Sequence, residues 1–212
     1  MKEIRYVAMG DSLTAGVGAP VGLGLTDLVR VLLVQASSGK RVALTNNGIS
    51  GLKTGELLEK LKRETPLRAD VERADFITVT TGGNDMLAAA KLYFSDPDQM
   101  ILREALRRCQ NQLQQLTDLI QQLKKSSVRP YAVRLTDLYN PLPQIPEAAF
   151  WVGRFNKMLR RFESRNLLVV DVYHGFVGKE KELLSDDQVH PNAEGYTVMA
   201  KAVHQAGYAP LF

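Results

Sequence analysis

The chain has 212 residues, 45% apolar and 24% charged, with a net charge of +4, which suits one globular domain with a substantial core. No apolar run approaches the roughly 18 residues of a membrane span, and the first apolar segment is too short for a signal sequence, so a cytoplasmic protein without stable membrane insertion is expected. The basic residues are scattered (Arg103, Arg107 and Arg108, Lys124 and Lys125, Arg160 and Arg161), which argues against nucleic acid and leaves attraction to anionic lipid open.

Strand-like and helix-like patterns alternate along the chain. "IRYVAM" (4–9) reads as a first strand and hands over to "GDSLTAG" (10–16). Leu25, Leu28, Val29, Leu32 and Leu33 then repeat at helical spacing. A second strand, 41–46, runs into "NNGISG", and a third, 75–81, into "GGND" (82–85). The longest helix is expected from about 98 to 125, with Leu102, Leu106, Cys109, Leu113, Leu116, Ile120 and Leu123 forming a narrow apolar seam. That seam reads as packing on a sheet, with a dimer contact as the alternative. Cys109, the only cysteine, lies within it and reads as core rather than as a nucleophile. A fourth strand, 129–135, precedes the irregular, proline-rich "TDLYNPLPQIPEAAFW" (136–151). A fifth, 166–172, is followed by "DDQVHPN" (186–192) and a last helix, with Pro191 placed as its first residue.

Short β-branched strands separated by helices predict an α/β fold, a three-layer α/β/α sandwich around a five-stranded parallel sheet of order 2-1-3-4-5, in one domain over 1–212. Sites in such sheets lie beyond the carboxyl ends of the strands. In this order Ser12 stands between Gly51 on one side and Asn84 on the other. A serine hydroxyl needs a base, and the oxyanion it creates needs preorganised donors. Glycine-loop and serine N–H groups and an asparagine amide supply such donors. Of the three histidines, His204 falls on the last helix and His174 follows strand five. His190 lies in a turn with Asp187 three residues before it, a spacing that favours Asp187 over Asp186 as the carboxylate holding the imidazole. Asp11 and Asp85 read as structural turn or cap acceptors.

"GDSLTAG", "NNGISG", "GGND" and "DQVHPN" together resemble the four sequence blocks of the GDSL, or SGNH, hydrolases, across nearly the whole chain. The resemblance implies Ser12 as nucleophile, His190 as general base and Asp187 as its orienting acid. The Ser12 N–H, Gly51 and Asn84 are implied as the oxyanion hole. Gly51 is chosen over Gly48 because it closes its block; Leu52 stands where relatives often carry Asp. The expected activity is serine-esterase or lipase hydrolysis of short to medium acyl esters, lysophospholipids among them, through an acyl-enzyme. Apolar segments 87–94 and 140–151 are candidates for an acyl groove. Carbohydrate acetylesterase and thioesterase activities of the same mechanism are the alternatives. A non-catalytic phosphate- or nucleotide-binding module is a more distant one; "GVGAPVG" lacks the dinucleotide spacing and any P-loop lysine. No cofactor or metal is expected, and the partner is a small ester or lipid, the protein being a monomer or weak homodimer.

Overall fold

The computed structural model describes residues 3–125 and 127–212. Five strands, β1 (Ile4–Gly10), β2 (Val42–Gly48), β3 (Phe76–Thr80), β4 (Ala132–Thr136) and β5 (Leu167–Val170), form one parallel sheet of order β2-β1-β3-β4-β5, the predicted order. Ten helices surround it: α1 (Ser12–Ala15), α2 (Leu25–Ala36), α3 (Thr54–Arg63), α4 (Thr65–Arg73), α5 (Gly83–Ser95), α6 (Gln99–Lys124), α7 (Pro146–Leu159), α8 (Tyr173–Phe176), α9 (Glu180–Leu183) and α10 (Ala193–Gln205) among the described residues. None of them is long and apolar enough to cross a membrane.

Because side chains alternate across a strand, one short apolar run feeds two cores. Val7 and Met9 of β1 join Ile77, Val79, Val133, Leu135 and the inward faces of α3, α4, α6 and α7. Ile4, Tyr6 and Ala8 point the other way, onto α2 and α10. The apolar seam of α6 lies in the first core, with Leu113 and Leu116 inaccessible. It is therefore packing on the sheet and not a dimer surface. Cys109 is buried there too, its thiol pushed up to about 12 by burial. Both observations remove it from consideration as a nucleophile.

The differences from the expected boundaries have local causes. Strand β4 begins at Ala132 rather than at 129, since Pro130 cannot donate to a ladder. Strand β2 runs on to Gly48, pairing Asn46, Asn47 and Gly48 with Ala8, Met9 and Gly10. Pro191 is not the first residue of α10. Asn192 is the N-cap, its side chain accepting from the Glu194 and Gly195 amides, and Pro191 bridges back to Leu184.

Asp137 follows β4 and is almost wholly buried. One oxygen accepts from the Val172 and Tyr173 amides at 2.7 and 3.0 Å, yet burial raises its pKa to about 6, against those bonds and Arg160. Between its unfolded value near 3.9 and about 6, the native state binds the extra proton, so this group's contribution to stability is full below that window and is lost as pH rises through it. Asp137→Asn keeps the accepting oxygen without the charge. The variant should match the wild type at the acid end of the window and exceed it by up to about 3 kcal/mol at neutral pH. Melting temperatures across that range check this; a constant difference would contradict it.

Candidate active site

Ser12 is the first residue of α1, directly beyond β1. Asp11 caps this helix as expected, its carboxylate accepting from the Leu13 amide at 3.0 Å and from the Thr80 hydroxyl at 2.7 Å. Burial pushes the Asp11 carboxyl up, opposed by those same bonds. As the first helical residue, Ser12 has an N–H with no acceptor inside the helix. Asn46 of β2 holds α1 in place by donating to the Thr14 carbonyl at 3.1 Å.

His190 arrives from the far edge of the fold on the 184–192 loop, and its Nε2 lies 2.9 Å from the Ser12 hydroxyl oxygen. Its Nδ1 meets Asp187 Oδ2 at 2.5 Å, while Asp187 Oδ1 accepts from the Val189 and His190 amides and the Ser185 hydroxyl. Desolvation of Asp187 is outweighed by these bonds, the His190 ring foremost, which hold its carboxyl well below the usual carboxylate range. An ionised Asp187 keeps the proton on Nδ1 and turns the Nε2 lone pair toward Ser12. The other histidines stand elsewhere. His174 is exposed and pairs with Asp171 at 2.7 Å, and His204 meets the Tyr208 hydroxyl at 3.0 Å.

On the opposite side of Ser12, residues 49–52 form a turn closed by the Leu52 amide on the Ile49 carbonyl at 3.2 Å. Gly51 is its third residue with φ +81°, as a type II turn requires, and a Cβ there would meet nothing. Gly48 serves packing instead. A Cβ there would sit 2.3 Å from the Ala15 nitrogen, so its lack of a side chain lets α1 lie on β2. Leu52 is buried in the core, and its carbonyl accepts from Asn84 Nδ2 at 3.0 Å. One amide N–H of Asn84 is thereby used, and the second has no partner among the described residues. Asp85 fixes the same junction, accepting from the Thr54 amide and hydroxyl, both at 2.9 Å.

Ser12, Asn84 and His190 share the head of a cavity of about 170 Å³. Its body runs between α5 and the 138–152 segment and is lined by Leu87, Ala90, Tyr93, Phe94, Leu142, Ile145, Ala148 and Trp151. Both apolar segments singled out in the sequence therefore face one space. Among the described residues no three His, Cys, Asp or Glu side chains are grouped as metal ligands.

Residues 8–198 match the GDSL-like lipase/acylhydrolase family. The chain belongs to this family. As a GDSL hydrolase it is a carboxylic ester hydrolase, which displaces the phosphate-binding alternative. It is 38% identical to the spore germination lipase LipC of Bacillus licheniformis, over 98% of each chain. Its structure superposes on the lipase Lip_vut3 from a goat rumen metagenome with a TM-score of 0.94 at 37% identity, covering 99% of this chain and all of that one. A mutant of the acetylxylan esterase Axe2 from Geobacillus stearothermophilus shares the fold, with a TM-score of 0.72 at 20% identity over 95% and 93% of the two chains.

Some residues around this GDSL site carry no motif. The Tyr139 hydroxyl donates to the Val189 carbonyl at 2.6 Å, with its ring stacked on Phe176, and so ties the cavity wall to the turn that carries His190. Ser185 adds the hydroxyl on Asp187. Tyr139 lies in a segment legible only as irregular, and its partner is 50 residues away.

Proposed function

We propose that Ser12, His190 and Asp187 work as the triad of a single-domain serine esterase that takes short to medium acyl chains, including those of lysophospholipids. The observation that carries this reading is the unbroken hydrogen-bond line from Ser12 through His190 to Asp187 at the head of an apolar cavity. His190 Nε2 accepts the Ser12 proton as Oγ bonds to the ester carbonyl carbon, and the carbonyl π electrons move onto oxygen. The Ser12 and Gly51 amides and Asn84 Nδ2 stabilise that oxyanion. Collapse of the intermediate breaks the bond to the alcohol, which leaves with the proton from His190. Water, deprotonated by His190, then attacks the acyl-serine, and Ser12 recovers its proton as the acid departs. The relatives named lipases support a lipid ester as substrate. A thioester acyl group fits the same cavity, so thioesterase activity is the second reading.

Hydrolysis of p-nitrophenyl esters from acetate to palmitate tests the acyl assignment, with Ala148→Trp as the variant. Each methylene taken from water is worth about 0.8 kcal/mol, so blocking three should reduce kcat/KM for a medium chain relative to acetate by about fiftyfold. An acetate optimum indifferent to Ala148→Trp would instead favour the carbohydrate acetylesterase alternative.

A further inference from the structure

Several large apolar side chains are exposed on the helices that frame the cavity. Phe94 lines the cavity while being more than half exposed. Leu92 of α5 and Met100 of α6, on helices that contribute to the lining, are also at least half exposed. The exposed Phe150 ring packs edge-on against Trp151, another lining residue, at 5.3 Å between centroids. Isolated exposed apolar residues are ordinary, but several on the helices that frame one apolar cavity are not.

The α7 side of this rim carries a stripe of cations, while Asp96 and Asp98 stand exposed between Phe94 and Met100. Phe150, Arg154, Lys157 and Arg161 are spaced by four, three and four, which places them along one face of α7 and its continuation. All are exposed. The Arg154 guanidinium lies over the Phe150 ring at 5.6 Å and the Trp151 ring at 5.9 Å. Among the described residues none of these three cations takes part in an ion pair, whereas neighbouring Arg160 pairs with Glu163 and Asp137. Glu147, in the first turn, is the one acid in the α7 sequence.

We propose that this rim docks on the surface of an anionic phospholipid bilayer. Leu92, Phe94, Met100 and Phe150 enter the headgroup–acyl boundary, and Arg154, Lys157 and Arg161 face the phosphates. Aromatic rings favour that depth, and long basic side chains lay their stems along it while keeping their charge at the headgroups. A second copy of the chain is a poorer occupant, because a two-fold contact would bring the same cations together. Docking would place the cavity mouth against the membrane, so that an acyl chain passes from lipid to cavity without crossing water. That consequence rests on the lipid-ester reading above; the docking surface itself does not.

The test is cosedimentation of the full-length Ser12→Ala protein, which leaves the lipid intact, with vesicles of mixed phosphatidylglycerol and phosphatidylcholine or of phosphatidylcholine alone. The expected result is preference for the anionic vesicles. Arg154→Ala with Lys157→Ala should weaken partition by about thirtyfold, the worth of two basic residues near such a surface. Leu92→Ser with Phe150→Ser should weaken it on both vesicle types. With Ser12 restored, Arg154→Ala with Lys157→Ala should hydrolyse p-nitrophenyl acetate at the wild-type rate, and thermal melts of both pairs show that they fold. Absence of binding, or binding that neither pair weakens, would overturn the proposal. So would a concentration-dependent dimer, abolished by Leu92→Ser with Phe150→Ser, in a protein that ignores vesicles. Vesicle binding by a wild-type protein inert on every ester would leave the docking surface standing and sink the lipid-ester reading instead.

Discussion

His190→Ala should lower kcat for p-nitrophenyl esters by about 10⁴- to 10⁶-fold, with Ser12→Ala equally damaging and the double variant scarcely worse than either. In the proposed mechanism the reason is the shared path of one proton. Without the imidazole, the Ser12 hydroxyl has no base within reach, and without the hydroxyl the imidazole has nothing to activate. Removing either loses the same step, so the two effects do not add. Asp187→Asn should cost less. Asp187 is half exposed, and the amides of Val189 and His190 hold its turn even when the ring bond is weakened. Steady-state kcat for the three single variants and the double variant, under conditions where each remains folded, checks this ordering. Additive losses would mean that Ser12 and His190 act in separate steps.

Asn84→Ala should reduce kcat by about 10²- to 10³-fold while leaving KM within a few-fold, because its free amide N–H is expected to bond to charge that exists only in the transition state. The two neighbouring glycines should separate cleanly from each other. Alanine at Gly51 is forced toward a left-handed backbone costing about 1–2 kcal/mol, and the relaxation that relieves it turns the donor N–H away. Its main effect should therefore fall on kcat. Alanine at Gly48 collides with the backbone of α1, at Ala15 and Thr14, and should appear first as a loss of melting temperature. Parallel kinetics and thermal melts of the three variants distinguish the cases. A larger kcat loss for Gly48→Ala than for Gly51→Ala, at equal stability, would move the donor assignment to Gly48.

The sheet is readable in the sequence because its central strands are buried on both faces and so are written as largely apolar runs, such as Tyr6 to Met9. Its ends are less so. Asn46 and Asn47 look like turn residues, yet they continue the ladder because β1 offers them partners. Pro191 misleads because a proline suits the first helical turn on local grounds, while the cap that forms uses the Asn192 side chain. Gathering of Ser12, Asn84 and His190 at one end of the sheet follows from strand order, and the Asp187 contact from a spacing of three. What tunes the site is not legible. The bonds of Tyr139 to Val189 and of Thr80 to Asp11 join residues distant in sequence, and neither residue type announces such a partner. The cavity lies between these cases: two apolar segments suggest it, but only the fold, which sets α5 and the 138–152 segment on either side of it, shows that they line one space.

Covalent labelling by a p-nitrophenyl alkylphosphonate, read as intact mass and then by peptide mapping, tests the triad most directly. The reagent's phosphorus takes the place of the ester carbonyl, and loss of p-nitrophenol leaves a stable adduct on the attacking oxygen. A single adduct on the peptide containing Ser12, absent from Ser12→Ala and greatly slowed in His190→Ala, is the predicted result. An adduct on another residue, or ester hydrolysis that persists in a fully labelled protein, would contradict Ser12 as the nucleophile.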